Sequence, residues 1–203
     1  MKKKNAYQFR IELLGIEPSI WRLIEVSSNY SFWDLHIAIQ DSMGWLDYHL
    51  HSFSIVPPGK KKKSVLIGMP DDEFEPDTLP GWDVPLAQYF FDPGDEAMYE
   101  YDFGDGWNHR VVLEGIYLQK DGVRYPNCID GKRACPPEDC GGATGYYQLL
   151  EALADPDHEE YEGMIYWLSH HAKNYHPYDP EGFEPDNVEF DDPEERLKKA
   201  FQN

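Results

Sequence analysis

The segment 99–114 constrains the fold most, because two strand-like runs meet there at a glycine-rich turn. Over 99–103, aromatic residues alternate with acidic ones, which is the period of two of a β-strand. The run 107–113 resumes with aromatic and β-branched residues, a composition typical of strands. Between them, the dipeptide Asp105-Gly106 favours a two-residue type I′ turn. The sequence therefore predicts a central β-hairpin.

This turn would also fix the register of the hairpin. Counting outward from a two-residue turn pairs Asp102 with His109 and Tyr101 with Arg110, whose guanidinium could stack on the tyrosine ring. A carboxylate that holds a histidine tautomer is the arrangement of a general base, so Asp102 and His109 are catalytic candidates. No Gly-x-Ser-x-Gly elbow or His-Glu-x-x-His helix accompanies them, and a pair that fixes register is the simpler explanation. A three-residue bulged loop would break both pairs.

The rest of the chain alternates strand and helix signals. Apolar alternation over 6–15 and a strand-like run over 20–26 predict an N-terminal hairpin. A helix follows, with a capping-box-like start at Ser31 and a closing glycine, Gly44. A third strand is expected over 49–56, and we expect three helices near the C-terminus, from about Thr144 to Ala154, after Asp157 and from Asp192-Pro193.

Charge limits the classes of partner. The 203 residues include 18 basic and 38 acidic ones, a formal net charge of −20, which argues against a nucleic-acid-binding surface. Arg110 is the single basic residue in the span 64–119, which is otherwise strongly acidic. A solvated face is the simpler interpretation of this span, and cation binding is the alternative. The preceding run Lys60–Lys63 is expected to be a solvated loop.

Length and hydropathy predict one cytoplasmic domain. No apolar run approaches the roughly 20 residues of a membrane helix. The start Met-Lys-Lys-Lys leads into a strand pattern and not into the apolar core of a signal peptide. We expect a single domain over 1–203, in which the Pro- and acid-rich segment 176–203 wraps over the body.

Two histidines and three cysteines are candidate ligands. His49 and His51 would share one face of the third strand, so their imidazoles could converge on a ligand or metal, although ordinary hydrogen bonding would also explain them. Cys128, Cys135 and Cys140 could form a Cys3His zinc site with a fourth ligand from His49, His51, His170 or His171. Their spacing is not the paired Cys-x2-Cys of most structural zinc sites, and burial as small hydrophobic residues is the alternative. An extracellular disulfide framework is not expected from an odd number of cysteines.

Several motifs, taken together, resemble one family. They are Ile20-Trp21-Arg22, Gly44-Trp45 with His49-Leu-His-Ser-Phe53, Tyr101-Asp-Phe-Gly-Asp-Gly-Trp107, and Cys135-Pro-Pro-Glu-Asp-Cys-Gly-Gly142 with Gly145-Tyr146. From about residue 5 to 195 the chain resembles the plasmid pRi ORF-three-like proteins, which also occur as passengers of insertion elements and sometimes carry a resolvase label. The resemblance implies an α+β fold, an α/β roll with a mixed or largely antiparallel sheet, and no established reaction. The strongly acidic chain lacks the basic DNA-binding appendage that a resolvase needs.

Three functions follow as hypotheses. The first is a non-enzymatic binding module associated with mobile-element genes, whose acidic span 64–119 faces a protein or another basic partner. The second is a zinc-binding protein or metal-dependent hydrolase, and the weakest is a DNA-associated accessory protein. The residues expected at a binding site are His49, His51, Tyr101, Asp105, Trp107 and Arg110.

Overall fold

The computed structural model describes residues 4–57, 63–70 and 77–202, and these form the α+β fold expected from the resemblance. The strands are β1 (Asn5–Leu13), β2 (Ile20–Ser27), β3 (His51–Ile55), β4 (Val65–Gly68), β5 (Leu79–Pro80), β6 (Glu96–Tyr101), β7 (Trp107–Leu118) and β8 (Asn127–Lys132). The helices are α1 (Phe32–Met43), α2 (Gly142–Ala154), α3 (Tyr161–His170) and α4 (Pro193–Ala200). In these ranges no helix has the length and apolar character needed to cross a bilayer.

Within the described residues, eight strands form one sheet in the order β5-β4-β3-β6-β7-β1-β2-β8. All neighbours pair antiparallel except β4 and β5, which pair parallel. The two predicted hairpins, β1–β2 and β6–β7, are confirmed. Because β7 also pairs with β1 and β6 also pairs with β3, the central hairpin has strand neighbours on both sides.

The sheet and α1 supply most of the core, and α2 and α3 add Tyr146, Leu149 and Leu168 to it. Alternate residues of β1 are fully buried, as the strand period requires, and Phe9 packs edge-on against Phe90 at 4.8 Å between ring centroids. From α1, Phe32 packs edge-on against Phe53 of β3 at 5.2 Å. Burial of one such phenylalanine side chain contributes roughly 1.5–3 kcal/mol, so these contacts fix α1 on the sheet.

The start and end of α1 follow the sequence prediction. Ser31 Oγ accepts a hydrogen bond from the Asp34 amide, and Asp34 Oδ2 accepts one from the Ser31 amide at 2.8 Å, which completes the capping box. At the other end Gly44 has a φ of 86°, a left-handed conformation that glycine adopts without a Cβ clash. This cap turns the chain toward β3 and places the loop 44–50.

The C-terminal segment lies against α1. Trp33 Nε1 donates to the Pro193 carbonyl at 2.9 Å, and the Asp191 amide donates to Asp41 Oδ2 at 2.9 Å. As predicted, Asp192 caps α4 and proline occupies its first turn. In contrast, α3 begins at Tyr161 and is not capped by Asp157.

The predicted register of the central hairpin is wrong. Tyr101 pairs with Trp107, Tyr99 with His109, and Met98 with Arg110. The pairs Asp102–His109 and Tyr101–Arg110 therefore do not form, and Arg110 instead lies 3.5 Å from Glu96 on the exposed face.

The loop between β6 and β7 explains the difference. Asp102 leaves the strand with a φ of 54°, and its Oδ1 accepts hydrogen bonds from the amides of Gly104 at 2.9 Å and Asp105 at 3.3 Å. The Gly106 amide then donates to the Asp102 carbonyl at 2.6 Å. The turn is thus a five-residue loop, Asp102–Gly106, begun by an Asx turn, which overrides the local preference of Asp-Gly for a two-residue turn. Lys60, Lys61 and Lys62 of the predicted lysine loop lie outside the described residues.

Candidate metal centre

Three loops meet beside the ends of β3 and β6: the loop 44–50 after α1, the loop 102–106 of the central hairpin, and the loop 133–141 after β8. The backbone amide of Asp102 donates to the carbonyl of Leu50 at 3.0 Å, which ties the first loop to the second. Side-chain contacts join both loops to the third. Residues that are far apart in the sequence are therefore held close together.

Glu138 connects the third loop to the other two. This side chain is buried, yet both of its oxygens have donors: Oε2 accepts from the Leu46 amide at 2.6 Å, and Oε1 accepts from the Tyr101 hydroxyl. The same hydroxyl accepts from the Tyr48 amide at 3.0 Å. Burial and the Glu138 carboxylate both raise the pKa of Tyr101, so its phenol stays protonated and donates to the carboxylate.

His49, Asp102 and Asp139 supply one side chain from each loop, and we call this group the open site. His49 Nε2 lies 2.8 Å from Asp139 Oδ1 and 3.6 Å from Asp102 Oδ2. One possible ligand atom from each residue lies within 4.8 Å of the other two. The His49 side chain is 31% exposed and that of Asp139 is 50% exposed, so solvent reaches the group. Imidazole with carboxylates is a ligand set for zinc and similar metals.

The backbone of the hairpin loop orients Asp102 toward this group. Its Oδ1 is occupied by the two amide hydrogen bonds of the Asx turn, so Oδ2 is the oxygen that faces His49. Such hydrogen bonds to a carboxylate fix its direction in the manner of an outer shell around a metal ligand.

His171, directly after α3, adds a second imidazole beside the open site. Its Nε2 lies 3.8 Å from Asp139 Oδ2, and its side chain is only 10% exposed. The ring packs against Tyr175 at 5.0 Å between centroids. Asp139 therefore stands between His49 and His171. The other histidine considered from sequence, His170, is exposed and stacks on Tyr166 instead.

A second group, His36, Asp47 and His51, lies deeper, and we call it the buried site. The rings of His36 and His51 stack at 3.4 Å between centroids, with an interplanar angle of 8°. His36 Nε2 lies 2.8 Å from Asp47 Oδ1, and possible ligand atoms of all three residues lie within 4.8 Å of one another. Burial lowers the pKa of His51 well below its usual value, so this ring is neutral near pH 7.

His109 is buried on the core face of β7. Its Nδ1 donates to the carbonyl of Tyr99 at 3.4 Å, and its ring meets Trp45 edge-on at 5.3 Å between centroids. Burial lowers the pKa of His109 to about 4. It belongs to neither metal-type group, and the predicted catalytic pair with Asp102 is not formed.

Comparison with known proteins identifies the family of this chain and a solved structure with a similar fold. The sequence profile of the plasmid pRiA4b ORF-3-like proteins matches residues 5–187. The chain belongs to this family. A similar protein is the uncharacterized protein y4hQ of Sinorhizobium fredii, 33% identical over 164 residues that cover 80% of each chain. The crystal structure of MM3350 from Methanosarcina mazei Go1, a protein of unknown function, has a TM-score of 0.82 and 43% identity, and covers 93% of this chain and 100% of that one.

In this pRiA4b ORF-3-like protein, the residues predicted from the sequence to form one binding site do not all lie together. His49 and Asp102 come together at the open site, and Asp105 supports it because its Oδ2 accepts from the Gly141 amide at 3.2 Å. Tyr101 and Trp107 are buried below the loops, on the same face of the hairpin. His51 does not converge with His49, because β3 begins only at His51 and His49 precedes it in the loop. Arg110 lies on the exposed face, away from both groups.

The three cysteines lie outside both groups. In the described ranges, neither group with three ligand atoms inside 4.8 Å contains a cysteine. Burial raises the pKa of Cys128 to about 11 and that of Cys135 to about 12, and it raises that of Cys140 further, so all three remain protonated thiols at neutral pH. Cys128 and Cys135 are packed in the core as small apolar residues.

Sequence reasoning missed Asp139, Asp47 and the role of His36. Asp139 lies inside the motif Cys135-Pro-Pro-Glu-Asp-Cys-Gly-Gly142, which carries the family resemblance. From the sequence we considered the cysteines of this motif as ligands, whereas its residue at the open site is Asp139. His36 lies within the predicted first helix and is fully buried on α1. Only the path of the loops shows that these residues meet.

Proposed function

We propose that this protein binds a divalent transition metal at the open site and supports hydrolytic chemistry there. The observation that carries the proposal is the convergence of one imidazole and two carboxylates, from three separate loops, within 4.8 Å. A calcium or magnesium site would use oxygen ligands alone, whereas the nitrogen of His49 favours zinc, manganese or iron.

The site resembles hydrolytic centres in its number of ligands and its exposure. Catalytic zinc sites keep three protein ligands and leave a position for water, whereas structural sites are closed by four. A metal held by His49, Asp102 and Asp139 would lower the pKa of such a water toward neutrality. His171, whose Nε2 lies 3.8 Å from Asp139 Oδ2, is the residue that we propose as the general base.

A small cavity beside the open site offers room for part of a substrate. Its volume is about 210 Å3, and Asp139 forms part of its wall. The cavity is lined mainly by apolar side chains, among them Leu149, Met164 and Trp167. This lining favours a substrate with an apolar group next to the bond that is cleaved.

Zinc binding tests the metal part of the proposal. We expect Asp139→Asn to lower the zinc affinity of the open site at least tenfold by calorimetry, because a carboxylate ligand is lost while asparagine tolerates the same positive φ. The matched control is Asp83→Asn, an exposed aspartate outside the site. Equal zinc binding by wild type and Asp139→Asn would refute the site.

Hydrolysis is tested separately. Turnover of p-nitrophenyl esters and phosphodiesters by the zinc-loaded protein should be lost in Asp139→Asn and on addition of a chelator. Zinc binding without any turnover across these substrates would leave a metal-binding protein and refute the hydrolytic part.

A second candidate function is an interaction module, favoured by apolar side chains on the same loops. Tyr48, Leu50 and Phe103 are 62%, 45% and 45% exposed and flank His49 and Asp102 in the chain. Exposed aromatic residues that cluster in this way are typical of protein interfaces. In cross-linking from cells, a partner of this surface should be lost in Phe103→Ser, and a basic partner should dissociate as salt rises.

A further inference from the structure

Arg22 of β2 is a buried cation whose hydrogen bonds are incomplete. The residue is 1% exposed. Its Nε donates to the Ser42 carbonyl at 2.8 Å, and its Nη1 donates to the carbonyls of Trp21 at 2.8 Å and Lys132 at 3.1 Å. These bonds occupy the donors of Nε and Nη1, so both N–H groups of Nη2 are left without an acceptor among the described residues. Because buried donors are normally paired, Nη2 is the part of Arg22 that the fold leaves for a ligand.

The charge of Arg22 also lacks a counter-ion in the ranges that the structure describes. Burial lowers the pKa of Arg22, and the groups that oppose this shift are two thiols and the phenol of Tyr178, all of which are neutral at neutral pH. By contrast Arg133, which is buried as well, has a carboxylate oxygen of Glu181 at 2.8 Å from its Nε. A buried charge is costly unless it is paired, so an anion beside Arg22 would stabilise the fold.

Arg22 lines a cavity of about 830 Å3 between the end of α1, the loop 133–141 and the C-terminal segment. This volume is typical of sites for small molecules, which span roughly 300–1,000 Å3. Lys173 lines the same cavity, and its Nζ donates to the carbonyl of Gly44. That carbonyl and the Ser42 carbonyl that Arg22 contacts belong to the same turn of the chain, so both positive charges lie at the same end of the cavity.

Acidic residues also line the cavity, and they restrict the charge that a ligand can carry. Asp41 and Asp191 are already paired with Arg196. The others are exposed side chains of the C-terminal segment, namely Asp179, Glu184 and Glu189. A ligand with a single negative charge can pair with the two cations at little cost, whereas these carboxylates would repel a phosphate dianion more strongly.

We propose that this cavity binds a small organic monocarboxylate with an aromatic or apolar body. The carboxylate accepts hydrogen bonds from Arg22 Nη2 and pairs with Lys173, in the manner of charge-assisted recognition. The body of the ligand packs against aromatic rings that line the cavity, those of Trp45, Tyr175 and Phe183. This site shares no residue with the open site, so the two proposals stand or fall separately.

Nuclear magnetic resonance of the intact wild-type chain labelled with 15N-arginine tests this site directly. The guanidinium signals of Arg22 are identified through the ring of Phe183, whose centroid lies 3.6 Å from Arg22 Cζ. We expect benzoate to shift these signals, the neutral analogue benzamide to leave them unchanged, and phenyl phosphate to bind more weakly than benzoate. No shift with benzoate, an equal shift with benzamide, or tighter binding of phenyl phosphate would overturn the proposal.

A pair of lysine variants provides the second test. Lys173→Met should raise the dissociation constant of benzoate about tenfold, because one of the two charges that meet the carboxylate is lost. Lys120→Met, at an exposed lysine outside the cavity, is the matched control and should leave benzoate binding unchanged. An unchanged dissociation constant in Lys173→Met, or an equal rise in Lys120→Met, would overturn the proposal. If Lys173→Met fails to fold by circular dichroism, the resonance titration of the wild type decides.

Discussion

Three aspartates of the two sites adopt a backbone conformation that L-residues rarely use. Among the described residues, five non-glycine residues have positive φ, and Asp47, Asp102 and Asp139 are three of these, at 59°, 54° and 58°. The left-handed region costs roughly 1–2 kcal/mol for most side chains, and aspartate and asparagine tolerate it best. Concentration of such residues at one place supports a functional role for the loops that carry them.

The first prediction concerns Asp102. Replacement by alanine should lower the free energy of unfolding by about 1–3 kcal/mol, because alanine is strained at this φ and cannot accept the amide hydrogen bonds of Gly104 and Asp105. Asp102→Asn keeps a hydrogen-bond acceptor, so its free energy of unfolding, measured by urea denaturation, should fall by less than half as much. Equal losses in the two variants would contradict the role given to the Asx turn.

The second prediction concerns pH and His109. Its pKa is about 4 in the folded protein against 6.5 as the ordinary value, so its contribution to stability is full above pH 6.5 and is lost as the pH falls through 4. Between pH 7 and pH 5 the contribution of His109 to the free energy of unfolding should fall by about 2 kcal/mol. In urea denaturation His109→Phe should lack this component, whereas the exposed control His170→Phe should keep it. The idea fails if His109→Phe retains the full pH dependence.

Residues that carry chemistry were only partly predictable from the sequence. His49 and Asp102 stand in motifs whose residue types suggested a site, and they do meet. Asp47 and Asp139 lie in loops whose direction depends on tertiary contacts such as the Leu46–Glu138 hydrogen bond, and no local pattern encodes such contacts. For the cysteines, the sequence left open both zinc ligation and burial as small hydrophobic residues, and Cys128 and Cys135 are packed in the core.

At the scale of elements, local signals predicted the caps of α1 and α4 correctly. The cap of α1 at Ser31 and that of α4 at Asp192 depend on residues within one turn of each other. The register of the central hairpin was wrong because the loop starts at Asp102, three residues before the dipeptide that governs a tight turn. The five-residue loop is set by the hydrogen bonds of its first residue, Asp102. The dipeptide Asp105-Gly106 alone does not predict those hydrogen bonds.

The third prediction tests how the hairpin loop docks on the start of α2. Gly142 has a φ of 66°, and a Cβ there would lie 2.5 Å from the Asp105 carbonyl oxygen. Gly142→Ala should therefore destabilise the fold by at least about 1–2 kcal/mol and weaken zinc binding at the open site. The matched control is Gly163→Ala in α3, where a Cβ meets nothing within 4 Å and alanine should be neutral or stabilising. An unchanged melting temperature in Gly142→Ala would contradict the close approach.

At the scale of the whole molecule, Arg196 links the C-terminal segment to α1 and to the loop 44–50. Arg196 lies 2.7 Å from Asp191, 3.0 Å from Asp47 and 3.8 Å from Asp41, with its side chain 16% exposed. Burial raises the pKa of Asp41 to about 6, so this carboxyl takes up a proton in the folded protein under mildly acidic conditions. In a chain with a net charge of −20, a basic residue that meets three carboxylates joins parts that would otherwise repel.

The fourth prediction follows from this arrangement. Arg196→Met should lower the free energy of unfolding by roughly 1.5–3 kcal/mol and speed hydrogen exchange in α4, because charge-assisted hydrogen bonds to partly buried carboxylates are lost. Lys198→Met on the exposed side of α4 is the control and should have little effect, since its ion pairs are within the helix and solvated. Unchanged exchange in Arg196→Met would show that other contacts hold the segment.

The wide separation of His49, Asp102 and Asp139 along the sequence has a consequence for the protein in a cell. The three side chains are neighbours only when the whole sheet is assembled, so an unfolded chain would have no comparable affinity for the cation that we propose at the open site. Such a cation, at one hundred times its dissociation constant, would add about 2.7 kcal/mol to the stability of the folded state. Because proteases remove unfolded chains, the amount of this protein should then rise and fall with the metal supply, at a constant rate of synthesis.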